Sequence, residues 1–240
     1  MQIKILQKKI SEVNNALIEY YGLPGRNSKL PKPIDMLIAT ILSQNTNDKN
    51  SHRAWLNLKT KYKSWHLLLN VSIKQLQNDI RAAGLANQKA MAIIGVIKKN
   101  YIEGGRVSLN QIKKMSNTEA LTYLTNFDGV GVKTASCVLL FSLNRNVCPV
   151  DTHVHRISNR IGLVETNTPD KTFAQLNENF PLGIAHSFHT NLIKLGREFC
   201  KPTNPACKEC PIENQCGFNG KNFQNKKFRV NNFMLLDNVK

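Results

Sequence analysis

The sequence predicts an all-α fold. Across most of its 240 residues, apolar side chains recur at the three- and four-residue spacing of an amphipathic helix. Almost no segment alternates apolar and polar residues as a half-buried strand does. Two capping-box patterns, at Ser72–Gln75 and Ser116–Glu119, stand before apolar runs and mark helix starts. A chain of this length can bury the core of one large domain or two modest ones.

Five helices are predicted before residue 105. The apolar face of the first comprises Ile3, Leu6, Ile10, Val13, Leu17 and Tyr21. A second begins near Pro33 and is almost wholly apolar, so we expect it at the centre of the core. A third begins near Asp48. The fourth follows Ser72 and ends at Gly84, whose position suits a left-handed C-terminal cap. The fifth spans Gln88–Tyr101.

The remaining predicted helices lie between residues 116 and 200. One follows the Ser116 cap, another spans Val132–Leu143, and later ones begin near Thr152, Pro169 and Gly183. The final twenty residues, 221–240, lack helical periodicity. Because they carry Lys221, Lys226, Lys227 and Arg229, we predict a mobile basic tail.

A tight turn joins two of these helices in the segment Phe127–Ala135, F-D-G-V-G-V-K-T-A. Gly129 and Gly131 can adopt backbone angles that other residues avoid, so their N–H groups and that of Val130 are expected to face an anion. Lys133 follows at the start of an apolar helix. The unit is therefore predicted to be a helix, a hairpin and a helix that grip one nucleic-acid phosphate beside an amine. By itself the pattern also fits a plain interhelical turn, with Lys133 as a solvated surface charge.

The charge of the chain favours a polyanionic partner. It has 33 Lys and Arg residues against 16 Asp and Glu, a formal charge of +17 and an isoelectric point near 9.8. Nucleic acid is the first candidate partner, and a basic but merely solvated surface is the alternative. No apolar run approaches the roughly 20 residues that span a bilayer, and the N-terminus lacks the features of a signal peptide. We therefore expect an intracellular protein without a membrane partner.

Cysteine spacing indicates a metal centre near the C-terminal end. Four of the six cysteines fall within seventeen residues in a C-x6-C-x2-C-x5-C run: Cys200, Cys207, Cys210 and Cys216. Such a run can ligate one [4Fe-4S] cluster or a zinc ion. Only Cys207 and Cys210 form a tight pair, whereas structural zinc sites commonly use two, so the spacing favours iron. The separate Cys137 and Cys148 are predicted to be small buried hydrophobic residues.

Asp151 is the second candidate for chemistry. It follows Lys133 by eighteen residues and opens the predicted helix that begins near Thr152. The simplest interpretation is a helix N-cap. An N-capping carboxylate is kept ionised by backbone N–H groups and the helix dipole, which also suits a group that stabilises developing positive charge.

Taken together and in order, these motifs resemble the endonuclease III family of DNA glycosylases, within the helix-hairpin-helix superfamily. The resemblance covers roughly residues 30–218 and includes three further segments. They are L-S-Q-N-T at 42–46, A-G-L at 83–85 followed by Lys89-Ala90, and L-G-R at 195–197 before Cys200. The resemblance implies two lobes. A six-helix barrel with the hairpin would span residues 35–145, and a cluster-bearing lobe would join residues 1–34 to 146–220.

The resemblance also implies an activity, a partner and site residues. The reaction is base excision repair of duplex DNA, in which a damaged, oxidised pyrimidine is removed and the backbone is cut 3′ to the abasic site by β-elimination. Lys133 matches the family's nucleophile and Asp151 its carboxylate. The matching DNA contacts are Gly129, Val130, Gly131, Gln44, Asn45 and Lys201. The four cysteines would hold a [4Fe-4S] cluster, and a monomer is expected, since enzymes of this kind can work as one.

Three departures from the family pattern affect these expectations. Asp128 stands where the hairpin usually has proline, which adds a negative charge near the expected phosphate. Asn45 stands where many members have a glutamine that fills the hole left by the flipped base. Lys201 is the single basic residue between Cys200 and Cys207, whereas cluster loops of the family often have more cations for DNA contact.

Two other functions stay open at the level of sequence. One is a glycosylase of different specificity, for mismatched, alkylated or methylated bases; most such relatives lack a lysine at the hairpin position. The other is a noncatalytic DNA-binding or electron-transfer protein, which the presence of both Lys133 and Asp151 disfavours.

Overall fold

The structure, a computed structural model, describes residues 2–26, 29–224 and 233–239. Those residues form α-helices and short 3-10 turns without any strand, which confirms the all-α prediction. The helices are α1 Gln2–Tyr21, α2 Pro33–Ser43, α3 Asp48–Lys61, α4 Ile73–Asp79, α5 Ala86–Gly104, α6 Asn117–Thr125, α7 Val132–Leu143, α8 Thr152–Arg160, α9 Pro169–Asn177 and α10 Ala185–Glu198.

The chain divides into two compact units. One comprises residues 26–145 with 233–240 and is called the hairpin unit here, because it contains the turn before α7. The other comprises residues 1–25 with 146–232 and is called the cysteine unit, because it contains the four clustered cysteines. The sequence predicted a six-helix barrel lobe and a cluster lobe, with boundaries near residues 34 and 145. This assignment of the two units stays a prediction.

Helix α2 lies at the centre of the hairpin unit. Every residue from Pro33 to Leu42 is buried, and α2 packs against α3, α5 and α7. Its apolar sequence leaves no face for solvent, as the prediction required. One charged residue in this helix, Asp35, is buried and accepts a hydrogen bond from the Trp65 indole at 2.6 Å.

Helix α10 is the buried centre of the cysteine unit. It packs against α1 and α8, and α8 also packs against α9. Two polar side chains on α10 make contacts within this unit: the Nδ1 atom of His189 lies 2.9 Å from the carbonyl oxygen of Pro149, and the amide nitrogen of Asn191 donates to the carbonyl oxygens of Leu17 and Gly22. These bonds join α10 to α1 and to the segment that leads into α8.

Local signals set several helix ends. Ser116 and Glu119 form the complete capping box at the start of α6. The Ser72 hydroxyl accepts a hydrogen bond from the Gln75 backbone N–H at 3.1 Å and so caps α4. Helix α4 ends at Asp79 instead of Gly84, because a 3-10 turn, Arg81–Ala83, replaces its last residues before Gly84 turns with a φ of +67°.

The end of the chain departs from the predicted tail. Lys226, Lys227 and Arg229 lie outside the described residues, but residues 233–239 pack on the hairpin unit. Leu235 and Val239 are completely buried, and the Leu235 N–H donates to the Asp48 carboxylate at 3.0 Å. Residues 233–239 are therefore a packed anchor, because their apolar side chains find a place beside α2 and α3. At the other end of the segment, Lys221 donates to the Glu213 carboxylate at 2.6 Å.

Across the described residues, every helix is too short or too polar to cross a membrane.

Candidate functional site

The turn between α6 and α7 is closed by its own backbone. The Val130 N–H donates to the Phe127 carbonyl oxygen at 3.1 Å, and the Val130 side chain is buried. The expectation that this N–H faces a phosphate is therefore wrong, because it holds the turn together. Gly131 is extended and precedes α7, whose first turn has no side-chain cap. The backbone N–H groups at the start of a helix are suited to binding an anion.

Gly129 is the position in this turn that requires glycine. Its φ is +79°, a left-handed angle that side chains rarely allow. A Cβ atom added there would lie 2.9 Å from the Cβ of Ala92 on α5, which is closer than two carbons can pack. The hairpin therefore lies directly against α5, and its backbone takes the place that a side chain would fill.

Lys133 is the second residue of α7. It is half-buried, and the residues after it, from Thr134 to Ser142, are all buried between α2 and α6. Because α7 is packed along its length, the position of the Lys133 Cα atom is fixed. Lys133 is thus an amine at the start of a rigid element, directly after the glycine turn.

The loop after α2 reaches the same turn. The Gln44 side-chain amide donates to the Gly129 carbonyl oxygen at 3.0 Å and to the Thr134 hydroxyl at 3.1 Å. Asn45, the next residue, is exposed and has a φ of +48°, an angle that asparagine adopts more readily than most residues. The structure thus brings Gln44, which is 85 positions from Gly129, to the hairpin and leaves the Asn45 side chain towards solvent.

Asp151 caps α8. Its carboxylate accepts a hydrogen bond from the Val154 N–H at 2.8 Å, as the sequence predicted for an N-cap. Asp151 is half-buried and belongs to the cysteine unit, whereas Lys133 belongs to the hairpin unit. Two residues later, burial lowers the pKa of His153, whose ring lies directly over Gly196 of α10. A side chain at position 196 would collide with that ring, so the glycine of the L-G-R segment has a packing reason.

The four clustered cysteines surround one cavity. The cavity is small, with a volume of about 20 Å³. Its lining comprises Cys200, Cys207, Cys210 and Cys216 together with Arg160, Phe199, Pro205, Ala206, Glu213, Phe218 and Lys221. All four cysteines are free thiols and form no disulfide bond. Among the described residues, no three His, Cys, Asp or Glu side chains converge as ligands of a single metal ion would.

Burial acts against the charge of two of these thiols, those of Cys210 and Cys216. It raises the pKa of Cys210 to about 12, with a further contribution from the neighbouring cysteines, and it also raises the pKa of Cys216. Four thiolates could not share this cavity without a compensating cation, because each would repel the others. The donor set therefore fits a group that brings several positive charges.

Two arginines of α8 hold the first cysteine of this run. Arg156 donates to the Cys200 carbonyl oxygen from Nε at 2.9 Å and from Nη2 at 2.7 Å. Arg160 donates from Nη1 to the Cys200 sulfur at 3.3 Å and to the Lys201 carbonyl oxygen at 2.7 Å. Its guanidinium also lies 4.3 Å from the centre of the Phe218 ring. Sequence reasoning missed both arginines, although their i, i+4 spacing places them on one face of the helix that Asp151 opens.

A family model, related sequences and solved structures match this chain. The profile of the HhH-GPD superfamily, described as base excision DNA repair proteins, matches residues 38–182. Endonuclease III of Thermotoga maritima is 37% identical over 195 residues, which cover 80% of this chain and 86% of that protein. Endonuclease III of Rickettsia conorii is 30% identical over 215 residues, covering 87% and 97%. Among solved structures, a non-covalent endonuclease III–DNA complex matches with a TM-score of 0.72 at 26% identity, covering 88% and 95%.

Proposed function

The chain belongs to the HhH-GPD superfamily of base excision DNA repair proteins, and from that premise we propose that it removes oxidised pyrimidines from duplex DNA. As a homologue of endonuclease III it is a DNA glycosylase with AP lyase activity. The observation that carries the assignment of its chemistry is the position of Lys133, at the start of α7 and directly after the glycine turn. An amine held there lies beside the helix start that we propose binds a DNA phosphate.

Lys133 is the nucleophile in this proposal. Its amine attacks the sugar C1′ and forms a C–N bond while the bond from C1′ to the damaged base breaks. The lone pair of the nitrogen then forms a C=N bond as the C1′–O4′ bond breaks, and the ring oxygen, which stays on C4′, takes up the proton that the nitrogen releases; the product is an imine between Nζ and the opened sugar. Removal of a C2′ proton lets the electrons of that C–H bond expel the 3′ phosphate, which cuts the backbone by β-elimination.

Asp151 supports that reaction as a carboxylate. Its hydrogen bond from the Val154 N–H at 2.8 Å and its place at the start of α8 both favour the ionised form. An ionised carboxylate stabilises the positive charge that develops on the sugar as the base leaves, and it can accept a proton in the later steps. The N-cap role and the catalytic role are therefore compatible.

DNA binding rests on backbone donors and on charge. The N–H groups of Gly129, Gly131 and the first turn of α7 are proposed to hold one phosphate, and Lys201 a second. Asn45, exposed beside the hairpin, is proposed to enter the stack where the damaged nucleotide leaves it. The net charge of +17 supplies a salt-dependent attraction that helps to offset the cost of extruding the base. We expect the protein to act inside the cell, as a monomer.

The cysteine cavity is proposed to hold a [4Fe-4S] cluster. The four cysteines would hold such a cluster from around the cavity, and they need not converge on one point as the ligands of a single ion would. Four cysteines around a single cavity fit that arrangement, and the guanidinium of Arg160 beside the Cys200 sulfur offsets negative charge at the site. When bound, the cluster supplies the bonds that tie residues 200–216 together. The chain itself contributes the Arg156 and Arg160 bonds that fix the first turn of this segment.

Borohydride trapping on duplex DNA that carries thymine glycol tests the proposal. The wild-type protein and Lys113→Gln, a variant of an exposed lysine in the same unit, are expected to give a covalent adduct, and Lys133→Gln none. Trapping on an abasic duplex but never on thymine glycol would contradict the assignment to oxidised pyrimidines. A wild-type protein that binds both duplexes without any adduct would contradict the role of Lys133.

A further inference from the structure

The amide of Gln44 uses both of its donors within the protein. A carboxamide nitrogen carries two hydrogens, and here one is directed to the Gly129 carbonyl oxygen at 3.0 Å and the other to the Thr134 hydroxyl at 3.1 Å. Phosphate oxygens accept hydrogen bonds and cannot donate them. In this arrangement Gln44 therefore has no donor left for the DNA backbone, which argues against the direct contact that its sequence position suggests.

The two acceptors flank the residues that matter for the reaction. Gly129 lies in the turn before α7, and Thr134 is the buried residue directly after Lys133. A single side chain thus spans the glycine turn and the first turn of the helix. It connects both to the end of α2, the most buried helix of the unit.

The end of α2 is itself held by further hydrogen bonds. The buried Lys89, whose side chain is only 2% exposed, donates to the Leu42 carbonyl oxygen at 2.9 Å and to the Ala83 carbonyl oxygen at 2.8 Å. The Gln44 N–H donates to the Ile41 carbonyl oxygen at 3.2 Å, which holds the backbone of Gln44 itself. The Gln44 side chain therefore extends from a backbone that is held by hydrogen bonds at Leu42 and at Gln44 itself.

From these contacts we propose that Gln44 is a positioning residue, which fixes the glycine turn and the start of α7, and with them Lys133, against the end of α2. The inference rests on the proposed function, because it assigns Gln44 to the same reaction. It separates the roles of two adjacent residues. Gln44 orients the hairpin from within the protein, while Asn45 faces outwards towards the DNA.

Hydrogen exchange in the free protein tests the structural half of this inference. Gln44→Ala is expected to speed exchange of the amides in the segment 127–135, because the turn loses its tie to α2. Gln75→Ala serves as the matched control. Gln75 lies on α4, which packs against α3 and α5, and its side chain forms a hydrogen bond with the side chain of Tyr62. Equal exchange of this segment in Gln44→Ala and in the wild-type protein would overturn the proposal.

Single-turnover trapping on an abasic duplex, with the protein in saturating excess, tests the catalytic half. Gln44→Ala is expected to form the adduct about tenfold more slowly, since small displacements of a reacting group are costly. Gln75→Ala is expected to match the wild-type protein. A Gln44→Ala variant that reacts at the wild-type rate but binds DNA more weakly would show a direct DNA contact and overturn the proposal.

The variant Gln44→Glu provides a readout that a merely structural role would not move. A carboxylate cannot donate, so at pH 7.5 this variant is expected to be no faster than Gln44→Ala. Near pH 5 the carboxyl approaches its ordinary pKa of about 4.3, and the protonated form can donate one bond. Its rate relative to the wild-type protein should therefore rise as the pH falls, while that of Gln44→Ala stays level; a flat ratio for Gln44→Glu would contradict the proposal.

If the wild-type protein forms no adduct at all, the proposed function fails, and the exchange result alone decides whether Gln44 holds the hairpin.

Discussion

The ammonium group of Lys89 lies 2.9 Å from the carbonyl oxygen of Leu42, at the buried end of α2. Burial lowers the pKa of Lys89 from its ordinary value of 10.5 to about 8. The folded protein therefore releases this proton about 2.5 pH units before the unfolded chain does. Between pH 8 and 10.5 the unfolded state binds more protons at this position, so Lys89 makes the folded state more stable as the pH rises.

Lys89→Met removes that dependence. Relative to this variant, the wild-type protein should gain about 2 kcal/mol of stability between pH 7.5 and 9.5. That gain corresponds to a relative increase in melting temperature of about 4–8 °C for a chain of this size. Scanning calorimetry of both proteins at the two pH values measures it. Parallel curves would show that Lys89 titrates as an exposed lysine does.

Gly129→Ala should destabilise the hairpin unit. The substitution forces alanine into a left-handed angle and brings its Cβ to 2.9 Å from the Cβ of Ala92, for a cost of about 1–3 kcal/mol. Gly131→Ala is the matched control, because Gly131 has a negative φ and open space where a Cβ would lie. Melting temperatures should fall for the first variant only. Equal losses for both would mean that the hairpin does not pack on α5.

Leu235→Ala tests the anchor formed by residues 233–239. Leu235 is completely buried, so its truncation should cost about 2–5 kcal/mol and lower the melting temperature. Leu182→Ala removes the same atoms from a side chain that is 87% exposed and should change stability little. If the two variants melted at the same temperature, residues 233–239 would be the mobile tail that the sequence suggested.

Cys207→Ser should lose the cluster. The purified wild-type protein is expected to contain about four iron atoms per chain, and the variant close to none, because one ligand of the cavity is gone. Cys137→Ser, which alters a buried cysteine of α7 outside the cavity, should keep its iron. Iron analysis with visible absorption measures both proteins. A Cys207→Ser protein that retained full iron would contradict the assignment of the four cysteines.

Most local features of the fold could be predicted from sequence, since they depend on neighbouring residues. The capping box of Ser116 and Glu119, the bounds of α7 and the Asp151 cap all follow from short patterns. The contacts that shape the site depend instead on packing. Nothing local places Gln44 against Gly129, 85 positions away, or Arg160 beside Cys200, 40 positions away.

Two expectations failed for the same reason. Residues 233–239 lack helical periodicity, yet Leu235 and Val239 find an apolar surface that only the assembled hairpin unit provides. The Val130 N–H was expected to face outwards, but the turn closes on the Phe127 carbonyl oxygen. In both cases the sequence shows which group can make a contact. The packing of the unit or the geometry of the turn determines which partner that group has.

The proposed reaction requires a covalent bond between the amine of Lys133 and the sugar. The most direct test is to reduce the adduct on an abasic duplex with borohydride, digest it, and locate the modified residue by mass spectrometry. Lys133 alone is expected to carry the sugar remnant. A remnant on another lysine or on the N-terminal amine, with Lys133 unmodified, would contradict it.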